Sequence, residues 1–307
     1  MAVSGGPDSM ALLLLANAAL PGRIEAATVD HGLRAASADE AAMVAQVCAK
    51  LGVPHETLAV TLAPGNLQDR ARAARYAALA RWCARRGLAA LATGHQRDDQ
   101  AETLLMRLNR GSGLAGLAGV RARGIAPGGA LPLLRPLLGW QRAELRAVVA
   151  QAGVEPVCDP SNEDDRFDRV RIRRALSDAA WIDSAGLARS AELLAAAEDF
   201  VTEAIDKIWL EQVQAGDGVR TFAPAPSDFA ATEIACRIIA ELGGEARRSE
   251  AAAMVARLRR GENASLGGVL ARVVRGRWLF AVEPPRAIDR PAKNSTAPGQ
   301  ARGDGGT

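Results

Sequence analysis

The sequence predicts an α/β fold, in which a doubly wound parallel sheet is followed by a smaller, helix-rich C-terminal domain. Short apolar runs alternate with helix-length segments through residues 1–151. This alternation is typical of right-handed βαβ crossovers and of a parallel sheet covered on both faces. Polar residues follow directly after several of the apolar runs, at the strand ends where such sheets bind ligands.

Each element has its own signal in the chain. Strands are predicted at residues 2–3, 24–29, 55–60 and 88–93, with a further apolar segment at 131–138. Helices are predicted at residues 10–19, 38–51, 66–86, 98–109 and 141–151. Asn66 is a suitable N-cap, and Gly87 follows its helix as a C-terminal stop. Because parallel strands end at one edge, residues 4–9, 30–31 and 94–95 are expected along one rim.

The length of 307 residues predicts more than one domain, since single cores stop growing near this size. We expect a catalytic domain over residues 1–180 and a helix-rich domain over 181–283. The second domain is expected to contain a long helix and a hairpin turned at Gly276. Residues 284–307 are rich in Pro, Gly and Ser and are expected to form a disordered tail.

Composition indicates an ordinary globular protein, with 49% apolar and 24% charged residues. The apolar run at residues 10–20 lacks a preceding basic segment and is too short to span a bilayer. We therefore expect a cytoplasmic protein without a membrane segment. The four cysteines are scattered with no CxxC pair, so zinc and iron–sulfur sites lack their usual sequence basis.

The basic residues are almost all arginine, because only three of the 38 Lys and Arg are lysine. Arginine suits bidentate recognition of phosphate. A GC-rich genome would produce the same usage, and we weight that reading equally. The net charge of +3 therefore permits an RNA partner without requiring one.

A glycine-rich turn between the first strand and the first helix is a candidate phosphate loop. Its residues are Ser4, Gly5, Gly6, Pro7, Asp8 and Ser9. Backbone N–H groups at a helix N-terminus bind anions, and Asp8 suggests that Mg²⁺ mediates between carboxylate and phosphate. The turn has neither the Walker A lysine nor the GxGxxG spacing. Turns of this composition are also structurally common, so the loop alone is a modest signal.

The Ser-Gly-Gly-x-Asp-Ser turn resembles the pyrophosphate-binding loop of the N-type ATP pyrophosphatases, which cleave ATP between the α and β phosphates. Within this adenine nucleotide alpha-hydrolase-like group, further motifs resemble the tRNA(Ile)-lysidine synthases. They are Asp-His-Gly-Leu-Arg at 30–34, the His-Gln-Arg-Asp-Asp-Gln-Ala-Glu-Thr run at 95–103, Arg-Gly-Ser-Gly at 110–113 and Asp-Pro-Ser-Asn at 159–162. Related thiolases usually need paired cysteines, which favours the lysidine branch. The resemblance spans residues 3–175, although the chain starts almost inside its first strand, which leaves the start codon open.

The resemblance implies a ligase that uses ATP and Mg²⁺. Its substrate would be tRNA(Ile) with a CAU anticodon, whose wobble cytidine is adenylylated on its carbonyl oxygen and then attacked by free lysine. Ser4, Gly5, Gly6, Pro7 and Ser9 would contact the nucleotide phosphates, and Asp30 and His31 would lie near it. The sequence leaves a homodimer open.

The catalytic candidates combine acids, a histidine and an arginine. They are Asp8, Arg75, His95, Asp98, Asp99 and Glu102, with Asp8 and Asp99 as candidate metal ligands. Asp98, Asp99 and Glu102 share one helical turn and could hold lysine or Mg²⁺, which the sequence does not separate. An isolated acidic turn would more often serve the helix dipole. The adjoining His95 and the matching motif favour a functional role.

Three arginines are candidate RNA contacts: Arg110, Arg169 and Arg173. A solvated charged face is the ordinary alternative for such residues. Two other functions compete with the main hypothesis. An N-type pyrophosphatase could adenylylate a small molecule, although the glutaminase or synthetase domains of those enzymes are missing. A nucleotide-binding sensor would bind ATP without cleaving it, although the acidic and histidine positions disfavour this.

Overall fold

The computed structural model describes residues 1–32, 36–60, 67–157, 168–224 and 227–283. Several predictions lie outside these ranges, namely those for residues 33–34, Asn66, residues 159–162 and the tail at 284–307. The chain divides into two compact units, Met1–Val201 and Thr202–Thr307. This division falls later than the boundary predicted at residue 180.

The first unit alternates helices and strands as the sequence predicts. Its elements are α1 Pro7–Ala19, β1 Ala26–Asp30, α2 Ala36–Leu51, β2 His55–Ala59, α3 Leu67–Arg86, β3 Leu91–Ala92, α4 Arg97–Asn109, α5 Leu114–Leu117, β4 Arg123–Ile125, β5 Pro132–Leu134, α6 Arg142–Gln151 and α7 Asp168–Asp178. Helix α8, Ser184–Gln212, starts in this unit and continues into the second.

The backbone of the first three residues joins two parts of a largely parallel sheet. β1 pairs with β2 and β3 with β5, both in parallel, while β4 adds an antiparallel edge. Ala2 N–H donates to the carbonyl of Ala92 at 2.9 Å, and Ala27 N–H donates to that of Met1 at 2.8 Å. The predicted first strand is therefore a short bridging segment between β1 and β3.

Helices cover both faces of this sheet. Adjacent residues of a strand point to opposite faces, so neighbouring residues of β1 belong to two different cores. Ala26 belongs to a core formed with α1, α2 and α6, which includes Leu12 and Leu145. Ala27 belongs to a second core formed with α3, which includes Trp82 and Leu133. The doubly wound α/β arrangement that the sequence predicts is thus present in the first unit.

The described part of the second unit contains the C-terminal end of α8, two further helices and a five-stranded antiparallel sheet. Its elements after α8 are β6 Val213–Gly216, β7 Val219–Phe222, α9 Asp228–Glu241, α10 Arg248–Arg259, β8 Ala264–Leu266, β9 Val269–Val274 and β10 Arg277–Val282. The strand order is β6-β7-β10-β9-β8. The predicted hairpin corresponds to β9 and β10, whereas β6, β7 and β8 carry few apolar residues and gave no strand signal.

None of the helices within the described ranges combines the length and apolar character needed to cross a bilayer.

Leu133→Ala should destabilise the first unit by about 3 kcal/mol, because a buried leucine loses its packing and leaves a cavity. Leu133 is fully buried in β5 beside Leu91. Thermal unfolding followed by circular dichroism measures the change, with Leu108→Ala as the control, since Leu108 is 50% exposed. Equal melting temperatures for the two variants would contradict the assigned core.

Candidate functional site

The loop from Ser4 to Ser9 has a conformation that requires glycine. Gly5 has a φ of +84°, and a Cβ there would lie 3.1 Å from Cγ2 of Val157. Gly6 is the N-cap of α1, and Pro7 follows at the first helical position, where its fixed φ suits the helix and its missing N–H costs nothing. The remaining N–H groups of the first turn have no partner within the helix and are available to an anion.

Ser9 stabilises this loop through hydrogen bonds of its side chain. Its Oγ accepts a hydrogen bond from the Ser4 N–H at 3.1 Å and donates to the Gly6 carbonyl at 2.9 Å. The Ser4 hydroxyl lies 3.3 Å from the same oxygen. The first role of Ser9 is therefore to hold the loop open, while the predicted phosphate contact of both hydroxyls stays a prediction.

Asp8 is a carboxylate without a full set of partners. Its Oδ1 is buried and accepts no hydrogen bond from any described residue. Burial raises the pKa of Asp8, the nearby Asp99 raises it further, and Arg142, Arg146 and Arg173 oppose the rise. Such a group can neutralise its charge by binding a cation or a proton.

Gly94 brings the segment after β3 directly against the phosphate loop. A Cβ on Gly94 would lie 2.9 Å from the Asp8 carbonyl oxygen and 3.1 Å from Cα of Ser9. Only a residue without a side chain allows this approach. The two segments, far apart in sequence, therefore lie at the same rim of the sheet, as the prediction required.

The N-terminus of α4 places the acidic residues next to that contact. Gln96 caps the helix, its side chain accepting from the Asp98 N–H at 2.6 Å. Asp99 Oδ2 accepts from the Gln96 N–H at 2.9 Å, and its Oδ1 accepts from Arg169 at 2.8 Å. Burial raises the pKa of Asp99, although Arg169 opposes the rise. Asp99 is thus both a capping residue and an ion-pair partner.

Glu102 is the centre of an arginine cluster. It is 1% exposed and contacts Arg169 Nε at 2.7 Å, Arg173 Nε at 2.8 Å and Arg142 Nη2 at 3.1 Å. Burial alone would raise the pKa of Glu102, but its bonds to Arg173 and Arg169 hold it below the ordinary value. These contacts bind α4 to α6 and α7.

Asp98 does not join that cluster. Its Oδ2 accepts from the backbone N–H of Arg142 at 3.2 Å, and the residue is half-buried. Asp98 therefore connects the start of α6 to the start of α4, while Asp99 and Glu102 face the arginines.

The arginines of α7 divide into two groups because they lie on a helix. Arg169 and Arg173 are four residues apart and share the face that meets Glu102. Arg171 points elsewhere and pairs with Asp168. Arg110 also pairs with Asp168, at 2.8 Å, and lies about 20 Å from the N-terminus of α4 by helix geometry. The RNA roles of Arg110, Arg169 and Arg173 are untested and stay proposals.

His95 lies among cations. Its Nδ1 is 2.9 Å from the hydroxyl of Thr93. Burial lowers its pKa to about 3, with further lowering by Arg135, Arg169, Arg72 and Arg75. The imidazole is therefore neutral in the folded protein, and its surroundings favour an anion.

Arg75 lies near both His95 and His31, which follows β1. It stacks over the ring of Tyr76, with its guanidinium carbon 5.5 Å from the ring centre. The pKa of His31 is lowered by burial and by Arg75, and its buried Nδ1 has no described partner. Asp30 accepts from the Gly32 N–H at 2.8 Å and from Ser37 at 2.6 Å, which orders the turn after β1.

Sequence reasoning missed three residues of this site. Arg142 and Gln96 hold the acids in place, and Arg135 lies beside His95. Arg135 had a signal, because it is a charge inside the apolar segment at residues 131–138. Arg142 and Gln96 look like ordinary helix-start residues, so nothing in the sequence distinguished them.

Comparison with known proteins identifies the class first. Residues 1–180 match the PP-loop domain, so the chain is a PP-loop protein of the kind that binds ATP. A U34-tRNA thiolase, NcsA from Methanococcus maripaludis with its [4Fe-4S] cluster, shares the fold, with a TM-score of 0.51 and 17% identity over 66% of this chain and 71% of that one.

Sequence relatives define the family further. The chain is 48% identical to a tRNA(Ile)-lysidine synthase of Novosphingobium aromaticivorans, covering 94% of this chain and 90% of that protein. Similar proteins of that name from Zymomonas mobilis and Ruegeria pomeroyi are 44% and 42% identical, covering 72% and 88% of this chain and 66% and 67% of those proteins. The chain belongs to the tRNA(Ile)-lysidine synthase family of PP-loop proteins.

Gly94→Ala should weaken ATP binding at least about tenfold, because the added methyl group must displace the backbone of Asp8 and misplace the anion site. Isothermal titration calorimetry measures the change. Gly139→Ala is the matched control, since a Cβ at Gly139 meets no atom within 4 Å. Wild-type affinity in Gly94→Ala would show that the loop does not depend on this contact.

His95→Gln should reduce the loss of stability on acidification. With a folded pKa of about 3 and an unfolded pKa near 6.5, the unfolded chain binds the extra proton, so stability falls as pH falls below about 6.5. This contributes about 2 kcal/mol between pH 7 and pH 5. Urea unfolding at both pH values tests it, and an unchanged pH dependence in the variant would refute a neutral His95.

Proposed function

We propose that this chain converts the wobble cytidine of tRNA(Ile) with a CAU anticodon to lysidine, consuming ATP and free lysine. One observation carries the proposal. Gly94 contacts the backbone of Asp8, so the loop at residues 4–9 lies next to the segment that continues into His95 and the acids of α4, and this supports the proposal. Membership of the lysidine synthase family supports the identity of the RNA, and the cytoplasm, where tRNA is modified, is the expected location.

The first step transfers AMP to the cytosine. The carbonyl oxygen of the base attacks the α phosphate, a new P–O bond forms, and the bond to the β phosphate breaks to release pyrophosphate. Negative charge grows on the leaving group, which the N–H groups at the start of α1 stabilise. Ser4, Gly5, Gly6 and Ser9 hold the pyrophosphate, and Arg75 faces the transferred phosphate.

The residues present fit a magnesium ion bound together with the nucleotide. The unpartnered Oδ1 of Asp8 is the best candidate ligand, and Asp99 lies close enough to raise its pKa. Within the described ranges, no cluster of three or more His, Cys, Asp or Glu residues could hold a metal, so phosphate oxygens would complete the coordination. Bound Mg²⁺ would neutralise charge on the phosphates.

The second step joins lysine to the base. The neutral ε-amine attacks the carbon that bears the adenylylated oxygen, a C–N bond forms, and the C–O bond breaks to release AMP. Asp99 and Glu102 are suited to hold lysine's ammonium groups in competition with Arg169. Asp99 has a raised pKa, which suits it to accept the proton that the amine must lose.

The second unit is the proposed site for the body of the tRNA. Its candidate RNA contacts are arginines that pair with nearby acids, among them Arg257 and Arg260, both with Glu262. Exposed pairs of this kind are weak, so a phosphate can replace the carboxylate. Their RNA contacts remain part of the proposal.

Purified protein incubated with ATP, Mg²⁺, labelled lysine and a CAU-anticodon tRNA(Ile) transcript should transfer label to the RNA. The control is the methionine tRNA that shares this anticodon, which should stay unlabelled. Formation of AMP without label in the RNA would indicate a different acceptor. ATP that binds and remains intact would indicate a sensor.

Asp8→Asn should reduce tRNA-dependent pyrophosphate release by at least about a hundredfold, since the carboxylate that would hold Mg²⁺ beside the phosphates is lost. The folded structure should persist by circular dichroism, because Oδ1 has no partner to lose. Asp39→Asn is the control, an exposed acid in the first turn of α2. Normal pyrophosphate release by Asp8→Asn would remove Asp8 from the mechanism.

A further inference from the structure

A cavity of about 370 Å³ is lined in part by His95. Five arginines contribute to its wall: Arg72, Arg107, Arg121, Arg135 and Arg169. None of the described residues that line it is acidic, and none belongs to residues 4–9. We refer to these five arginines with His95 as the arginine pocket.

Three of the arginines in the pocket, Arg72, Arg107 and Arg135, have no carboxylate partner among the described residues. Arg72 stacks over the ring of Tyr76 at 5.1 Å, and Arg135 donates to the carbonyl of Arg121 at 2.6 Å. Neither forms an ion pair with any described acid, and the Nε of Arg135 is buried without a hydrogen bond. Burial lowers the pKa of Arg135, and Arg72 lowers it further. Cations gathered in this way are stabilised by a bound anion.

The other arginines of the pocket are already engaged. Arg169 pairs with Asp99 and Glu102, and Arg121 pairs with Asp199 at 3.1 Å. Arg107 donates to the carbonyl of Gly119 at 3.1 Å. These bonds fix three guanidinium groups in place, so the wall of the pocket is pre-organised. Its uncompensated charge comes from Arg72, Arg135 and Arg107, which bonds only backbone carbonyls.

The charge of the pocket selects among the substrates of the proposed reaction. Free lysine carries two ammonium groups and one carboxylate, so its net charge is positive and a wall of arginines repels it. The pyrophosphate of ATP has its own proposed cradle at residues 4–9, which do not line the pocket. The remaining substrate with net negative charge is the RNA backbone. Ile125, 59% exposed on the edge strand β4, offers an apolar surface at the rim that suits a ribose or base.

We propose that the arginine pocket binds a backbone phosphodiester of the RNA strand next to the nucleotide being modified. His95 belongs both to this wall and to the reacting site, so the bound phosphate is one that flanks the target base. The inference rests on the proposed function. It gives the first unit its own means of holding the RNA strand in position, with Arg72 and Arg135 as the principal contacts.

Arg72→Ala tests the proposal without disturbing the core, because Arg72 is exposed. The KM for RNA should rise about tenfold, as expected for one lost charge-assisted contact, while the KM values for ATP and lysine stay unchanged. The slope of the logarithm of the RNA-binding constant against the logarithm of the salt concentration should become shallower by about 0.7, the value for one single-stranded phosphate. Arg72→Lys should restore part of the affinity.

The matched control is Arg81→Ala, on the same helix and exposed, but nine residues away and therefore on the opposite face. It should bind RNA with wild-type affinity. A second arm uses RNA with a methylphosphonate at either phosphate flanking the target nucleotide. One of these neutral linkages should weaken RNA binding by the wild type as much as Arg72→Ala does. It should not weaken RNA binding by Arg72→Ala any further.

Other outcomes overturn the proposal. A raised KM for ATP alone assigns the pocket to the nucleotide, and a raised KM for lysine alone assigns it to the amino acid's carboxylate. Equal losses in Arg72→Ala and Arg81→Ala indicate only general electrostatic attraction. RNA binding is measured without ATP or lysine, so a wild type that binds RNA through Arg72 but transfers no lysine would refute the proposed function and leave this inference standing.

Discussion

The close approach of Gly94 to the backbone of Asp8 is the constraint on which the site depends. A methyl group at Gly94 would lie 2.9 Å from a carbonyl oxygen, so no other residue type fits without moving the loop. The approach sets the anion cradle of α1 against the histidine and acids that follow β3. Ordinary packing of a parallel sheet thereby assembles the candidate site, because two segments that follow strands at one rim are also in direct contact.

Charge is sorted around this contact. One group consists of the carboxylates Asp8 and Asp99, both with raised pKa values and both suited to cations. The other group consists of His95 and the arginine pocket, from which acids are absent among the described lining residues. Arg169 joins the two groups, because it pairs with Asp99 and also lines the pocket.

The sequence predicted the sheet and its rim well, because apolar alternation and glycine stops are local signals. It also named His31, Arg75, His95 and the acids of α4 as candidate site residues, whose roles rest on resemblance and stay predictions. It did not predict the ion pairs. Glu102 meets arginines from two other helices, and such pairing depends on how helices pack rather than on any local pattern. The short strands of the second unit were missed because they carry little apolar alternation.

The position of Glu102 limits how short a chain could be and still fold as the first unit. Its carboxylate is buried, and two of its three cations come from α7, which lies well beyond the last strand of the sheet. A chain that ended after α6 would contain the whole sheet and the phosphate loop, yet would leave a buried negative charge mostly uncompensated. The minimal autonomous unit therefore extends through α7, and evolution could not shorten it there without also replacing Glu102.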